Sequence, residues 1–273
     1  MYDLIYPQEL DLPSNSNIKV DNFFLTGCAN NSSIEIYEKN LSFDLDFCDS
    51  LLDYFKKFNK YPVNLSGLNE VENQSVGSHR ATVYNTELAH ILTEKLSRLS
   101  EVKTGLGFNS VAPYQSFALD PYASVNHNLK EDNKKSSYRS IGVSPLFRYM
   151  EYFSGSKGHV PHYDAPYVYS DSVLTLTTGV LYLSTSDTGS TYFLPKSEQQ
   201  LSVPMKDRDT SDWSEHYNDL EKCFHVYPEK GKIVLFNHQI PHGVTPFIST
   251  DPKEKRIMMR FDLIYQRAAE NDK

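Results

Sequence analysis

Between residues 146 and 265 the chain is a train of short apolar runs of β type, and this pattern limits the available folds more than any other feature. The runs 146–153, 173–177, 179–183, 190–194, 232–236 and 256–265 are rich in Val, Ile, Leu, Phe, Tyr and Thr, with Gly, Pro, Asn and Asp between them. Such punctuation is the signature of antiparallel strands joined by turns. No helix of useful length separates the runs, so a doubly wound parallel sheet, which needs helical crossovers, is excluded. A sandwich or barrel remains. An abundance of Tyr (19) and Phe (15) beside a single Trp suits strands with aromatic faces.

The first half is different. Residues 1–17 are polar and hold Pro7 and Pro13, an irregular lead-in, and 18–25 have strand character. From Asp44 to Phe58 apolar residues fall at Leu45, Cys48, Leu51, Leu52 and Phe55, a helical spacing, with Lys56 and Lys57 near the end where the helix dipole favours cations. Residues 80–84 read as a strand, and Thr86 is placed to cap a second helix to about Leu99, with Leu88, Ile91, Leu92 and Leu96 inward. The polar stretches 120–139 and 196–222 read as surface insertions. The expected fold is α+β, a double-stranded β-helix (jelly-roll) core supported by N-terminal helices. The expected organisation is a single domain over 1–273, with a helix-bearing support at 1–140 and the jelly-roll at 141–273.

A net charge of −8 argues against a nucleic-acid backbone as partner. Cys28, Cys48 and Cys223 are scattered and odd in number, which fits a reducing compartment with neither a disulfide framework nor a zinc ribbon. No run approaches the ~20 apolar residues of a membrane span, and the N-terminus shows no secretory signal. A cytoplasmic protein with no membrane partner is the expectation; nothing in the sequence bears on oligomeric state.

The chemistry centres on Gly158-His159-Val160-Pro161-His162-Tyr163-Asp164. In an extended strand residues i and i+2 share a face, so His162 and Asp164 would converge on one point, a pairing suited to a divalent metal such as iron(II). Two ligands hold a metal poorly, and the best third is His242, completing a two-histidine, one-carboxylate facial triad with open positions. His238 is its rival. The two histidines are four apart, but Pro241 interrupts any helix between them and no Glu follows His238, so a helical zinc pair is disfavoured.

Taken in order, the run 148–152, the glycine-bearing turn, His162-Tyr163-Asp164, the strands 174–183 and 189–193, then 231–236, His242 and Arg256, resemble the core of the iron(II)/2-oxoglutarate-dependent oxygenases, and within them the prolyl-hydroxylase-like group. The likeness covers roughly 146–265. It implies that His162, Asp164 and His242 bind Fe(II). It further implies that Arg256 binds the far carboxylate of 2-oxoglutarate, for which a planar guanidinium fork is suited. By the same resemblance, Tyr152, Tyr182 and Thr191 match positions that in the family line the cosubstrate site. Arg256 follows His242 by fourteen residues, farther than is usual, which a longer loop at 248–255 accounts for; Arg260, on the same strand face, is its competitor.

The implied reaction is hydroxylation of an amino acid, peptide or protein side chain, with O₂ converting 2-oxoglutarate to succinate and CO₂ and ascorbate expected as a stimulant. Asp164 favours hydroxylation over halogenation, because related halogenases lack the carboxylate. Desaturation, cyclisation or demethylation of a small metabolite would use the same machinery, and a non-catalytic metal-binding jelly-roll is the rival from another class. Loops on a rigid scaffold carry recognition, so substrate choice is expected from the two insertions, with Tyr167, Tyr169, Trp213, Asp207, Arg208 and Asp209 as candidates.

Overall fold

The computed structural model describes residues 19–23, 37–63, 77–97, 111–113, 137–162, 164, 166–170, 172–194, 220–238 and 241–267. The chain runs through β1 (Lys19–Phe23), β2 (Tyr37–Ser42), helix α1 (Leu45–Lys56), β3 (Tyr61–Val63), β4 (Ser78–Tyr84), helix α2 (Thr86–Ser97), β5 (Val111–Pro113) and β6 (Ser137–Val143). It continues with β7 (Leu146–Phe153), β8 (His159–His162), β9 (Val168–Ser170), β10 (Val173–Tyr182) and β11 (Thr191–Phe193). After a 3₁₀ turn at Leu220–Lys222 come β12 (Phe224–Val226), β13 (Ile233–Asn237), β14 (His242–Val244) and β15 (Lys255–Arg267).

Two antiparallel sheets face each other. The larger has the path β1-β2-β13-β10-β15-β7-β4-β3, and the smaller has the order β12-β11-β14-β8. From β7 onward the chain passes back and forth between the sheets, with β7, β9, β10, β13 and β15 in the larger and β8, β11, β12 and β14 in the smaller, and this jelly-roll path places β8 and β14, far apart in sequence, side by side.

Both faces of the large sheet are buried, and the alternation along β15 explains how. Met259, Phe261 and Leu263 point to the helix side, where Phe47, Leu51 and Phe55 of α1 and Leu88, Leu92 and Leu96 of α2 complete one core. The even-numbered Arg256, Met258, Arg260 and Asp262 lie on the opposite face. Met258 there joins Met150, Tyr152, Val180, Tyr182, Phe193, Phe236 and Val244 in a second core between the sheets. The helices thus seal the outside of the large sheet and leave its inner face for the site.

Several local expectations shift. In α1 the buried stripe is Phe47, Cys48, Leu51, Tyr54 and Phe55, whereas Leu45 is exposed, so the inward face is rotated from the one read in the sequence. Asn85 rather than Thr86 caps α2: its side-chain oxygen accepts from the Leu88 N–H at 2.8 Å, and its amide donates to the Tyr54 hydroxyl. The two runs 173–177 and 179–183 form one strand. Gly179 is no turn; it sits under the Phe261 ring, where a Cβ would collide. The polar stretch 120–139 ends in β6 rather than in a loop. Residues 120–136 and 196–219 otherwise lie outside the described residues, together with Trp213, Asp207, Arg208 and Asp209.

Candidate active site

The small sheet brings the two histidines together. β8 and β14 pair antiparallel with His162 directly opposite His242, and their rings lie 4.4 Å apart. Gly158 makes this pairing possible: it has φ +82°, and a Cβ on it would strike the Val244 carbonyl oxygen of β14. The His242 ring is braced edge-on by Phe236 at 4.5 Å, and His162 lies against His159 at 3.9 Å. Burial, with the adjacent His162 and His242, keeps His159 well below the ordinary imidazole range, so it is neutral.

Asp164 reaches the same place by a different route from the one read in the sequence. β8 ends at His162, so Asp164 is not its i+2 strand neighbour. Its backbone N–H donates instead to the His238 carbonyl at 3.0 Å, while the His238 N–H donates to Leu176 of β10. The Asp164 carboxylate is buried, with Oδ1 3.9 Å from His162 Nε2 and Oδ2 3.6 Å from His242 Nε2. Ligand atoms of His162, Asp164 and His242 all lie within 4.8 Å of one another. A triangle of that size puts its centre roughly 2.5 Å from each donor, a small contraction away from the ~2.0–2.2 Å of imidazole and carboxylate ligation. Two imidazoles, one carboxylate and an open side fit a divalent transition metal.

The carboxylate is held from behind. Arg260 donates to Oδ1 at 2.6 Å, and the Thr178 hydroxyl donates to Oδ2 at 2.5 Å. Burial alone would raise the Asp164 carboxyl; Arg260, then His242 and His162, hold it far below the usual carboxylate range. Arg260 also meets Asp262 at 3.3 Å, and Asp262 accepts from Arg148 at 3.3 Å. Asp262 likewise lies well below the ordinary range, its burial overridden first by Arg260.

His238, the rival third ligand, is not in the cluster. It is buried, with Nε2 3.5 Å from Asp262, and its main chain anchors Asp164.

Arg256, Tyr152, Tyr182 and Thr191 come together at the other end of the same face. Arg256 is completely buried, its Nη2 donating to the Thr191 hydroxyl at 3.1 Å, and its guanidinium lies 4.6 Å from the Tyr152 ring and 5.6 Å from the Tyr182 ring. The Tyr182 hydroxyl donates to Thr191 at 2.7 Å. Arg256 has no carboxylate partner among the described residues, and its Nε–H is buried with no acceptor. Burying a cation without a counter-charge is costly, and a guanidinium in this setting could receive a ligand's carboxylate. Arg260, the competitor in sequence, differs in having two carboxylate partners through its Nη atoms, Asp164 and Asp262.

A cavity of about 80 Å³ is lined by His162 and His242, by Tyr152 and Thr191 from the Arg256 group, by Met150 and Met258, and by Arg80, Arg148 and Arg260. Sequence reasoning missed Thr178, Arg148 and Asp262. The signal for part of this set was present: charged residues at alternate positions 256, 260 and 262 of a strand whose other face is continuously apolar. Tyr167 and Tyr169 are exposed at 50% and 42%, and neither lines the cavity; Tyr169 bonds Ser144 instead.

A jelly-roll carrying a two-histidine, one-carboxylate cluster beside a buried arginine defines a class, the non-haem metal oxygenases. The profile of the phytanoyl-CoA dioxygenase family (PhyH) matches residues 78–255, well over half of the chain. The chain belongs to that family, and so to the iron(II)/2-oxoglutarate-dependent oxygenases and to the enzymes. No curated protein sequence matches it.

Solved structures with a similar fold include HygX from Streptomyces hygroscopicus with nickel and 2-oxoglutarate bound, at 11% identity, TM-score 0.43, covering 85% of this chain and 82% of that one. A Pseudomonas putida prolyl-4-hydroxylase matches at 14% identity, TM-score 0.39, covering 86% and 93%. The carbocyclase SnoK from nogalamycin biosynthesis matches at 11% identity, TM-score 0.45, covering 87% and 84%.

Proposed function

We propose that the chain is an iron(II)- and 2-oxoglutarate-dependent hydroxylase of an amino acid, peptide or protein side chain, with His162, Asp164 and His242 as metal ligands. The observation that carries this reading is the convergence of those three donors within 4.8 Å of one another, with His162 and His242 on the wall of a cavity. Iron(II) with 2-oxoglutarate supplies the oxidising chemistry: one atom of O₂ goes to succinate, CO₂ leaves, and the other atom becomes the substrate hydroxyl.

The chain's own residues hold and shape that reaction. His162 and His242 offer imidazole nitrogens, and Asp164 offers a carboxylate kept ionised and oriented by Arg260 and Thr178. Arg256 receives the far carboxylate of 2-oxoglutarate, with the Thr191 hydroxyl beside it and the Tyr152 and Tyr182 rings walling the seat. Met150, Met258 and Val180 keep the intervening space apolar, which strengthens each polar contact by excluding water. Because Asp164 occupies its ligand position, hydroxylation is the better reading than halogenation.

Succinate production from 2-oxoglutarate with Fe(II) and ascorbate, measured with candidate substrate pools, tests the proposal. The wild type should form succinate, and His162→Ala should abolish it while remaining folded by circular dichroism. A wild type that binds iron yet never consumes 2-oxoglutarate would instead be a metal-binding jelly-roll without turnover.

A further inference from the structure

The inner face of the large sheet carries more positive charge than the reaction described above uses. Register places Arg148 of β7 directly opposite Arg260 of β15, a like-charged cross-strand pair that is ordinarily avoided. Both guanidinia line the cavity, and both lean on Asp262, Arg148 from 3.3 Å and Arg260 from 3.3 Å. Asp164, the other carboxylate touching Arg260, is also the one offered to the metal.

The charges among the described residues then fail to cancel once the site is loaded. Arg80, Arg148, Arg256, Arg260 and a divalent metal stand against Asp164, Asp262 and a dianionic cosubstrate, an excess of positive charge among the described residues before any further partner of Arg80 is counted. Two of these cations, Arg148 and Arg260, stand side by side at a defined end. Arg256 and Arg260 are four residues apart on one strand face, roughly 13 Å along the strand, with Met258 between them. If 2-oxoglutarate spans from the metal toward Arg256, it cannot also reach the Arg148–Arg260 end. Donors remain there: the Arg260 Nε–H is buried without an acceptor, and one Nη of Arg148 forms no bond to Asp262.

We propose that this end of the cavity seats a carboxylate of the substrate, held by Arg148 with Arg260 behind it, so that the enzyme oxidises a small carboxylic acid at a carbon near its acid group. The assignment rests on the oxygenase reading above and narrows its substrate class. A planar guanidinium fork matches a carboxylate bidentately, and the seat shares its cavity with His162 and His242 while Arg260 touches Asp164 at 2.6 Å, so only a few bonds separate the bound acid group from the carbon presented to the metal.

The test uses the Fe(II)-loaded full chain with 2-oxoglutarate and a matched panel: free amino acids, N-acyl amino acids and short hydroxy and fatty acids, each beside its primary amide and the corresponding phosphate monoester. Succinate formation above the rate without additive is the readout. In the wild type, acids should outrank their amides by about 100-fold in kcat/KM, the size expected for one bidentate charge-assisted contact. In Arg148→Met the acid-to-amide ratio should collapse to within about threefold, and Arg148→Lys should restore part of it. That ratio is read within one preparation, so it does not depend on how much of a variant folds. Equal use of acids and amides by the wild type, an unchanged ratio in Arg148→Met, a preference for the phosphate esters, or no acid that stimulates turnover would each overturn the carboxylate seat. Absence of any succinate from the wild type, with no stabilisation by Ni(II) and 2-oxoglutarate together, would instead sink the oxygenase reading.

Discussion

Replacing Arg256 with Met should weaken 2-oxoglutarate binding severely while leaving the cosubstrate-free protein as stable as before, or more so. The side chain is 0% exposed, with Thr191 and the Met258 sulfur as hydrogen-bond partners and no carboxylate among the described residues. Burying a guanidinium without a counter-ion costs several kcal/mol, of which two aromatic faces return about 2 kcal/mol. Methionine fills similar space with no charge to desolvate. When the cosubstrate binds, its far carboxylate gains two charge-assisted hydrogen bonds of about 1.5–3 kcal/mol each. Losing at least 3 kcal/mol corresponds to roughly a 100-fold rise in KM for 2-oxoglutarate, at about 1.4 kcal/mol per tenfold.

Two assays read the two effects. Succinate formation against 2-oxoglutarate concentration gives the KM. Thermal unfolding with Ni(II), with and without 2-oxoglutarate, gives the linked stability. At a concentration 100 times the wild-type Kd, the ligand adds about 2.7 kcal/mol, a Tm gain of about 5 °C for a chain of this size; the variant should gain about 1 °C or less. A variant whose cosubstrate-free Tm falls by several degrees while KM stays within threefold of wild type would refute the reasoning. Arg256 would then be a structural cation, and the cosubstrate seat would lie elsewhere.

Other perturbations probe the supports of the site. Gly158→Ala combines a positive φ with a collision against the Val244 carbonyl, so it should cost about 2–4 kcal/mol and weaken metal binding by displacing β8 from β14; chemical denaturation and metal titration check both. Asp262→Asn leaves Arg148 and Arg260 short of a carboxylate and should cost about 3–5 kcal/mol at pH 7. Because the folded carboxyl is held below its unfolded value near 3.9, that contribution is whole above about pH 4 and fades as the pH falls further; urea midpoints at pH 7, 5 and 3.5 should show a constant gap to wild type at the first two and a narrower one at the third. Asn85→Ala removes the α2 cap and the bond to Tyr54 and should cost about 1–2 kcal/mol, seen as a lower urea midpoint with 2-oxoglutarate turnover retained.

The residue pattern by itself determined a good part of this protein. Strand periodicity is local, so alternating apolar runs bounded by Gly and Pro specify the sheets of the second half, and a 3.6-residue period specifies α1 and α2. The donor types and their order along the chain were legible for the same reason: His162, Asp164, His242 and Arg256 each stand beside recognisable turn and strand signals. What the pattern could not supply was register and the far partner of each side chain. Asp164 approaches the histidines because its N–H is tied to His238, 74 residues later, and not because a strand carries it there.

Arg256 and Arg260 were equivalent in sequence, on one face of one strand. Among the described residues, tertiary structure separated them by giving Arg260 two carboxylates and Arg256 none. Arg148 and Thr178 gained their roles only when β7 and β10 were laid beside β15 in a fixed register. A residue's type and its neighbours in the chain fix which face it takes. Whether a buried charge is neutralised or left waiting for a ligand depends on strands brought together from more than a hundred residues away, and only the closed sandwich decides that.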